Sequence, residues 1–494
     1  QFIADYFASE DTTSTSSKFT LALNKITLKQ TKLRYDDFRI PKMKTGLDFN
    51  HVALENVNLT VSEFINDGPL TAFSLDDFHT KDQSGLWVKG LKAKVAINDT
   101  GLRLNSVYIK LNRSEIHASE IAYSYTDPSA LKDFNNKVIF NIAIQPSSIN
   151  LADVAFFVPE MNGMNEQVQL SGTLYNVVNH FKIKNLDLRV RKNTFLKGDL
   201  DLPDFSDFAA YPFREVIRKA SFDMAELSKV RLPDGSFLSF GPEVDRLGTV
   251  RFRNMVVDGK QGQLILRPVT IKTEKGDLSL VSPMKLDVLG NAIGIQNLRP
   301  DSIAVALNHI QLGEILGISD VGVLNGNLKF STFDVLDKGF KLSNGSAYFS
   351  ELETMGYVYH NVELNDMHMN GVVLNTSVQV DDPNAKFMIS GDFNIEGTPS
   401  YNASMRFEKL NLGALGFTES KNTALIGEFT VETKGPSFNR FEGGVTFDHF
   451  SYTEDGKEIK IPTARIDFNH SMAEESLKIR SNIADLDFKG KIDP

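Results

Sequence analysis

The residues able to do acid–base or metal chemistry are scattered through this chain and form no known motif. The nine histidines include His51, His79, His117, His180 and His449, and none stands in an HExxH or other paired-ligand spacing. The sequence has no cysteine, which excludes thiolate chemistry. It also contains no GxSxG elbow, P-loop or dinucleotide-binding glycine motif. We therefore predict no catalytic residue, no metal site and no cofactor, and we expect that the protein is not an enzyme.

Three pairs of adjacent aspartates raise the question of calcium binding. They are Asp36-Asp37, Asp76-Asp77 and Asp381-Asp382, and none lies in the spacing of an EF-hand loop. We predict that these carboxylates are solvated turn residues.

The charge and the hydrophobic content of the chain indicate which kinds of molecule it can bind. The formal net charge is −10, from 53 basic and 63 acidic residues, and no basic patch or arm is present. This balance argues against nucleic acid as a partner. Hydrophobic residues make up 41% of the chain, with 36 Phe against one Trp, so its apolar surfaces must be rich in Phe. No apolar run approaches the roughly 18–20 residues of a membrane span.

The one insistently repeated pattern is an alternation of apolar and polar residues that slips by one position. In FKIKNLDL, Phe181 and Ile183 alternate with lysines, the apolar positions then jump by three to Leu186, and alternation resumes at Leu188. Alternation with period two predicts a β-strand with one apolar face. The extra residue, often Asn or a charged residue, predicts a β-bulge that bends the strand and keeps its apolar side chains on one side. A tight turn at the slip is the alternative.

The same phrase recurs along most of the chain. It is seen as LALNKITL from Leu21, LDFNHVAL from Leu47, LRLNSVYI from Leu102, VRFRNMVV from Val250, VALNHIQL from Val305, LKFSTFDV from Leu328, VELNDMHM from Val362, MRFEKLNL from Met405 and VTFDHFSY from Val445. Alternation predicts that its apolar positions line one continuous surface. The predicted lining residues are Leu23, Ile26, Leu28, Leu104, Val107, Ile183, Leu186, Leu188, Phe252, Met255, Leu307, Ile310, Phe330, Phe333, Leu364, Met367, Phe407, Leu410, Phe447 and Phe450.

Turn signals between the strands predict an antiparallel meander. They are Asp67-Gly68-Pro69, Asn98 to Gly101, Asp234-Gly235, Asp258-Gly259, Asn344-Gly345, Asn370-Gly371 and Asp455-Gly456. A longer repeat is superimposed, in which a strand runs into a helical turn and a new strand starts at a glycine. Its hexapeptides start at Ile149, Phe222, Ile310 and Leu410. The helix candidates are residues 151–158, 213–218 and 313–316.

These elements predict an all-β fold. Helices are too scarce to cover so many amphipathic strands, so the sheet must pack against another sheet or curl into a barrel or trough. Frequent bulges favour curling. We predict an elongated, curved antiparallel sheet that forms a groove, with a few short helices at the repeat junctions. Residues 1–20 form an opening segment, residues 21–494 form one continuous array with junctions near 149, 222, 310 and 410, and the chain is a fragment of a longer protein.

The LxLNxIxL-type phrases, the INLADV and IQLGEI junctions and the stretch from Gly427 to Ser471 resemble the AsmA-like superfamily of diderm bacterial envelope proteins, and within it the TamB-like family of translocation and assembly module subunits. The resemblance covers essentially the whole chain. It implies a β-taco, a bent sheet with an apolar inside, that stands in the periplasm and carries phospholipids between inner and outer membranes. It also implies an inner-membrane anchor outside this chain and an outer-membrane barrel partner of the Omp85 type.

Three hypotheses follow, and they differ in what the apolar face does. In the first, the face is an open groove that shields phospholipid acyl chains. In the second, the sheet is a chaperone or scaffold for outer-membrane β-barrel assembly and pairs with unfolded strands at its edge. In the third, it is an inert structural or adhesin-like array. For the lining residues themselves, the alternative to a groove is a closed core in which they pack against each other.

Overall fold

The computed structural model describes residues 20–203, 212–260, 262–288, 298–335, 340–394, 400–435, 442–470 and 475–490. Apart from Thr20, the predicted opening segment lies outside these residues. The predicted all-β antiparallel class with a few short helices is confirmed. The chain divides into two compact units, unit 1 (Gln1–Asp204 and Glu226–Ser239) and unit 2 (Phe205–Ala225 and Phe240–Pro494). The continuity of one array over residues 21–494 stays a prediction.

Unit 1 is an antiparallel meander. Its strands are β1 (Thr20–Asp36), β2 (His51–Asp67), β3 (Leu70–Asp82), β4 (Trp87–Val88), β5 (Gly90–Asn98), β6 (Gly101–Lys110), β7 (Glu115–Ser124), β8 (Ile139–Asn150), β9 (Gln167–Asn176), β10 (His180–Arg189) and β11 (Phe195–Pro203). Each pairs with its neighbours in sequence, except that the two-residue β4 and the longer β5 both pair with β3. Short helices α1 (Phe134–Lys137) and α2 (Leu151–Val154) interrupt the meander.

Unit 2 begins with strands β12 (Phe213–Asp223) and β13 (Thr249–Lys260), which flank α3 (Met224–Leu227) and α4 (Pro242–Asp245). The next strands are β14 (Gln263–Leu266), β15 (Val269–Thr273), β16 (Gly276–Leu280), β17 (Met284–Val288), β18 (Leu298–Pro300), β19 (Ile303–Gln311), β20 (Val321–Phe330) and β21 (Thr332–Val335), with α5 (Leu312–Leu316) after β19. A regular meander then follows: β22 (Phe340–Thr354), β23 (Tyr357–Gly371), β24 (Val373–Asp382), β25 (Ala385–Asn394), β26 (Ser400–Leu410), β27 (Thr423–Lys434), β28 (Glu442–Glu454), β29 (Lys457–His470), β30 (Glu475–Ser481) and β31 (Asp485–Lys489).

The sheet of unit 2 divides into two branches. At this place the chain crosses the sheet four times in succession, and each crossing is broken into two strands: β14 and β15, β16 and β17, β18 and β19, and β20 and β21. Strand β13 pairs with both β14 and β15. One branch continues through β15, β16, β19 and β20, and the other through β14, β17 and β18. The two branches rejoin at β22, which pairs with both β20 and β21. Pro268, Pro283 and Pro300 stand at three of the breaks, where a residue without an N–H cannot continue the ladder.

Several predicted turns and helices are confirmed and others are wrong. Asp258-Gly259 and Asn344-Gly345 lie inside β13 and β22, not in turns. Gly259 is needed for space, because a Cβ there would collide with the Phe213 ring. Residues 213–218 form strand β12 and not a helix. The predicted helix over 151–158 stops at Val154, and the junction that starts at Leu410 forms turns without a helix.

The buried apolar residues form small separate clusters. One comprises Ala93, Val95, Val107 and Ala118 in unit 1. A second comprises Val362, Val380, Ala385 and Leu415 in unit 2, where Phe213 and Leu264 form a third. In the part of the chain that the structure describes, no helix has the length and apolarity to cross a membrane.

Candidate functional site

The slip in the repeated phrase is a bulge whose second residue adopts a left-handed backbone conformation. These residues share a φ of 53–54° and are Ser106, Asn185, Asn254, His309, Asp366 and His449. All except Asn254 accompany a register shift in a neighbouring ladder. Asn, Asp and His tolerate this conformation better than most residues, which explains the residue types found in the slip. The predicted bulge is therefore confirmed in the five phrases with a register shift, whereas at Asn254 the left-handed residue occurs without one.

The neighbouring strands are adapted to the bulges. The backbone N–H of Asn185 donates to Asp199 Oδ1 at 2.7 Å, and that of His309 donates to Asn325 Oδ1 at 2.6 Å. Gly172 faces the Asn185 bulge, where a Cβ would lie 3.1 Å from the carbonyl oxygen of Lys184. Gly172 lies inside β9, so the prediction that the new strand starts at this glycine is wrong. The close approach of a bulged neighbour explains the glycine instead.

Three of the predicted phrases do not fold as expected. In LALNKITL the ladder keeps its register past Asn24, and the left-handed residue is Glu63 on the partner strand. In LDFNHVAL, residues 47–50 form a loop, because Asp48 is buried and caps the backbone of this segment. LKFSTFDV instead breaks at Ser331, between β20 and β21.

Cross-strand pairing in unit 1 joins apolar side chains into a continuous row over eight strands. The row runs Phe73–Val95–Leu104–Ile121–Ile142–Leu174–Ile183–Leu200, each residue directly opposite the next. Val95 is buried and the other seven are half-buried. Seven strand spacings make this row about 34 Å long.

Unit 2 contains a longer row of the same kind, which crosses twelve strands. It runs Val269–Leu280–Val305–Leu328–Ala347–Leu364–Val378–Ile389–Met405–Phe429–Phe447–Ala464. Eight of its members are half-buried. Its length along the sheet is about 53 Å. We call the sheet faces that carry the two rows the apolar faces.

Most of the predicted lining residues are half-buried. Of the twenty, Val107, Leu186 and Phe330 are buried, Leu23 and Leu28 are exposed, and the remaining fifteen lie between. Leu104 and Ile183 belong to the row of unit 1, and Leu364 and Phe447 to the row of unit 2. Burial of this intermediate kind is expected of an apolar sheet face that nothing covers closely. A closed core would bury most of these side chains.

The structure gathers three predicted aromatic residues of unit 2, Phe407, Phe447 and Phe450, around Phe429. The ring of Phe429 lies 5.0 Å from that of Phe407, 4.9 Å from that of Phe447 and 6.0 Å from that of Phe450. Phe387 joins the cluster at 5.7 Å from Phe407. Phe330 and Phe333 form a separate contact at 5.6 Å.

The opposite face of each sheet is polar. One depression on it is lined by Asp392, Asn402, Glu432 and Lys434, among others. Another is lined by Glu115, His117, Asp187 and Arg189. These depressions are shallow and open to solvent. They offer no arrangement suited to acid–base chemistry.

Several histidines lie beside a single carboxylate. His51 Nδ1 lies 3.0 Å from Asp48, His180 Nε2 lies 2.6 Å from Asp201, and His79 Nε2 lies 2.6 Å from Asp77. Among the described residues, no three His, Asp or Glu side chains converge as metal ligands would. His449 lies at a bulge.

Asp382 contradicts the prediction that the aspartate pairs are solvated turn residues. Its carboxylate is fully buried and accepts hydrogen bonds from Tyr357 Oη at 2.7 Å, Asn384 N at 2.8 Å and His360 N at 3.1 Å. Burial alone would raise the pKa of Asp382, but these hydrogen bonds outweigh it and hold the pKa below its usual value. The carboxylate therefore fastens the β24–β25 turn to β23. Asp76 and Asp77 lie within strand β3 rather than in a turn.

The junction hexapeptides place an acidic side chain beside an earlier hairpin loop. The Asp153 carboxylate accepts from Arg113 N at 2.8 Å. That of Glu226 accepts from Asn193 N at 3.0 Å and from Thr194 Oγ1 at 2.8 Å, and that of Glu314 bonds Lys275 Nζ. In the fourth junction Ala414 holds this position, and no helix forms there. The acidic residue of the longer repeat thus has a structural role, because it fastens the junction to an earlier hairpin loop.

Sequence reasoning missed row members such as Val95, Ile142, Val378 and Phe429. They lie at apolar positions of strands or half-strands that the slipped phrase does not cover, and only the cross-strand register shows that they continue the rows. Simple alternation was the signal that could have found them.

Comparison of the chain with protein-family models, with curated proteins and with solved structures finds no match. Interpretation of the apolar faces therefore depends on their own geometry.

Proposed function

We propose that this chain is a periplasmic segment of a TamB/AsmA-like bridge protein and that its apolar faces shield phospholipid acyl chains during transport between the inner and outer membranes. The observation that carries the proposal is the pair of continuous apolar rows, which are half-buried along most of their length. In this proposal each sheet acts as a groove, and the full-length protein is anchored in the inner membrane by a segment outside this chain.

The rows have the dimensions that an acyl chain requires. A bilayer core is about 30 Å thick, so one acyl chain spans about 15 Å. The rows of about 34 and 53 Å exceed this length. Covering half the surface of a dozen methylene groups is worth about 5 kcal/mol, which is enough to hold a lipid without a specific polar contact.

The chemical uniformity of the rows supports movement along them. Val, Ile, Leu, Met, Phe and Ala follow one another, and no charged side chain lies within either row. A lipid tail therefore meets similar surface at each step, so its motion is diffusive. The charged headgroup stays in water, since the rows offer it no partner.

A closed core is less compatible with the burial of the side chains. In a packed core most large apolar side chains are fully buried. Among the described residues, the largest side chains below 2% exposure are those of Val138 and Thr194, and neither lies in a row. The apolar faces thus leave surface available for a ligand.

The test compares two adjacent apolar residues of β25 that lie on opposite faces. Ile389 is half-buried in the row, whereas Met388 is 49% exposed on the polar face. The purified protein is extracted and its phospholipid is quantified by mass spectrometry. We expect bound phospholipid in the wild type and in Met388→Asp, and a severalfold loss in Ile389→Asp, because the new carboxylate would be desolvated by an acyl chain.

Far-ultraviolet circular dichroism and urea unfolding of both variants provide the control for folding. A wild-type protein that carries no phospholipid and takes up none from detergent micelles would contradict the proposal. Equal losses in Ile389→Asp and Met388→Asp would contradict it as well.

A second candidate function is supported by strand β1. This 17-residue strand is exposed along almost its whole length, and within the described residues its ladder is with β2. Leu23, Leu28 and Leu33 are 40%, 41% and 52% exposed. A long apolar edge can pair with an extended strand, which is the behaviour of a chaperone or scaffold for β-barrel assembly alongside an Omp85-type partner. In that case Ile389→Asp would leave the binding of barrel-strand peptides unchanged.

A further inference from the structure

The loop between β1 and β2 presents apolar and basic side chains together on its outer surface. A hydrogen bond from Asp37 N to Asn50 O at 2.8 Å closes it, so residues 37–50 form an Ω-loop. Phe38 is 90% exposed and Phe49 is 67% exposed. Ile40 and Met43, on the same loop, are exposed as well. A concentration of exposed apolar side chains marks an interaction surface.

The loop is held in place from the inside. The buried Asp48 carboxylate accepts from Met43 N at 2.8 Å and from Asn50 N at 3.0 Å. Leu47 N donates to Phe156 O at 2.7 Å, which joins the loop to the segment after α2. In that segment Phe157 and Val158 are 51% and 41% exposed. Phe38, Ile40, Met43, Phe49, Phe157 and Val158 together are called the Ω-loop patch.

The basic side chains of the loop are exposed, and the acidic side chains beside them are largely buried. The side chain of Arg39 is 88% exposed and that of Lys42 is 57% exposed, and Lys44 is exposed too. The carboxylates beside them are turned inward, since the side chains of Asp36 and Asp37 are only 9% and 11% exposed. Arg39 pairs with Asp37 at 2.7 Å and Lys42 lies 3.7 Å from Asp36, so each carboxylate is covered by the cation that it pairs with. The charged groups that face solvent beside the apolar side chains are therefore the cationic ones.

We propose that the Ω-loop patch docks unit 1 on the surface of an anionic lipid bilayer. Phe38 and Phe49 would enter the interfacial layer, where aromatic side chains are favoured, and Lys42 and Lys44 would lie at the level of the lipid phosphates. Apolar side chains interleaved with basic ones fit this partner better than a protein surface, because a bilayer supplies both the apolar layer and the negative charge. The docking does not require that the apolar faces carry lipid.

The test is flotation of the full chain with two kinds of vesicle, one of phosphatidylcholine alone and one of phosphatidylcholine mixed with phosphatidylglycerol. We expect binding to the mixed vesicles that weakens as salt is added. The double variant Phe38→Ser/Phe49→Ser should lower the partition coefficient by on the order of tenfold or more on mixed vesicles. The variant Lys42→Glu/Lys44→Glu should lower binding to mixed vesicles alone, by a similar factor.

Phe417→Ser is the matched control, since this phenylalanine is 54% exposed and lies outside the loop. It should bind like the wild type. A wild-type chain that floats with neither vesicle overturns the proposal, and the Ω-loop patch would then be a protein-docking surface. Wild-type binding by the Phe38/Phe49 variant, or an equal loss in Phe417→Ser, overturns it too. Phospholipid content measured on the same variants separates this result from acyl-chain shielding, because the loop changes should leave that content unaltered.

Discussion

At the scale of single residues, the buried carboxylates of this protein hold turns together. Asp382 gathers a phenol, two backbone N–H groups and the His360 ring around one side chain. Asp82 receives a similar set, from Ser84 N at 2.8 Å and Ala53 N at 3.3 Å. Each carboxylate closes the turn that follows its own strand and ties it to the preceding strand. These groups could be mistaken for catalytic acids, yet their hydrogen-bonding capacity is used by the backbone.

Replacing Asp382 should therefore cost stability in a pH-dependent way. We expect Asp382→Asn to lower the free energy of unfolding by about 1–3 kcal/mol at neutral pH, because charge-assisted hydrogen bonds to a buried group are lost. The pKa of Asp382 is lowered in the folded state. Its contribution is thus present above the unfolded-state value of about 4 and is lost as the pH falls through the folded-state pKa.

Urea unfolding at neutral and at acidic pH measures this effect. The difference between wild type and Asp382→Asn should shrink as the pH falls below about 4. Asp381→Asn is the control, because its carboxylate is 65% exposed and pairs with Lys386 at 3.8 Å. A change of less than about 0.5 kcal/mol is expected there. A pH-independent loss in Asp382→Asn would show that the carboxylate is not charged in the fold.

At the scale of the element, the repeated unit is a bulged strand with a left-handed residue at a fixed position. The bulge lets a strand keep its apolar side chains on one face across the slip, as between Ile183 and Leu186. A polar acceptor on the next strand satisfies the freed N–H, and a glycine on the other neighbour admits the displaced backbone. Three strands therefore cooperate to make one bulge.

A substitution at Asn185 isolates the backbone contribution, because its side chain is exposed. Asn185→Val should lower the free energy of unfolding by about 1–2 kcal/mol, since a β-branched residue is strained at a φ of 53°. Asn185→Gly should change it by less than about 0.5 kcal/mol. Urea midpoints of the two variants test this prediction. Lys184→Val, one residue earlier in ordinary strand conformation, is the control, and an equal loss there would refute the role of the left-handed residue.

At the scale of the whole molecule, the described strands of the regular meanders pair with the strands next to them in sequence, apart from β5, which pairs with β3 across the two-residue β4. Such a chain resembles a repeat protein, in which stability is a sum of local terms. The division into two units is consistent with this behaviour. Damage at one place should therefore remain local.

Hydrogen exchange measured by mass spectrometry tests this locality. Asn185→Val should accelerate amide exchange in β9, β10 and β11 and leave β23 to β25 unchanged. Asp382→Asn should accelerate amide exchange in β23 to β25 and leave β9, β10 and β11 unchanged. Uniform acceleration over all described strands in either variant would show that the chain unfolds as one cooperative body.

The amino-acid sequence by itself determined the strand content, the antiparallel connections and the position of several bulges. These are local properties: alternation selects a face, and Asn, Asp, His or Ser in the slip permits a positive φ, as at Asn185 and Asp366. Local patterns also located the junction turns at Leu151–Val154 and Leu312–Leu316.

Only the tertiary structure decided which strand faces which, and therefore where the apolar rows run. Whether Ile389 lies between Val378 and Met405 depends on two hairpin registers that no single strand encodes. The broken strands of unit 2 and the burial of Asp382 are likewise set by contacts between distant residues. Whether an alternating strand lines a filled core or an uncovered face is a question of what packs against it, and the pattern of one chain segment does not contain that information.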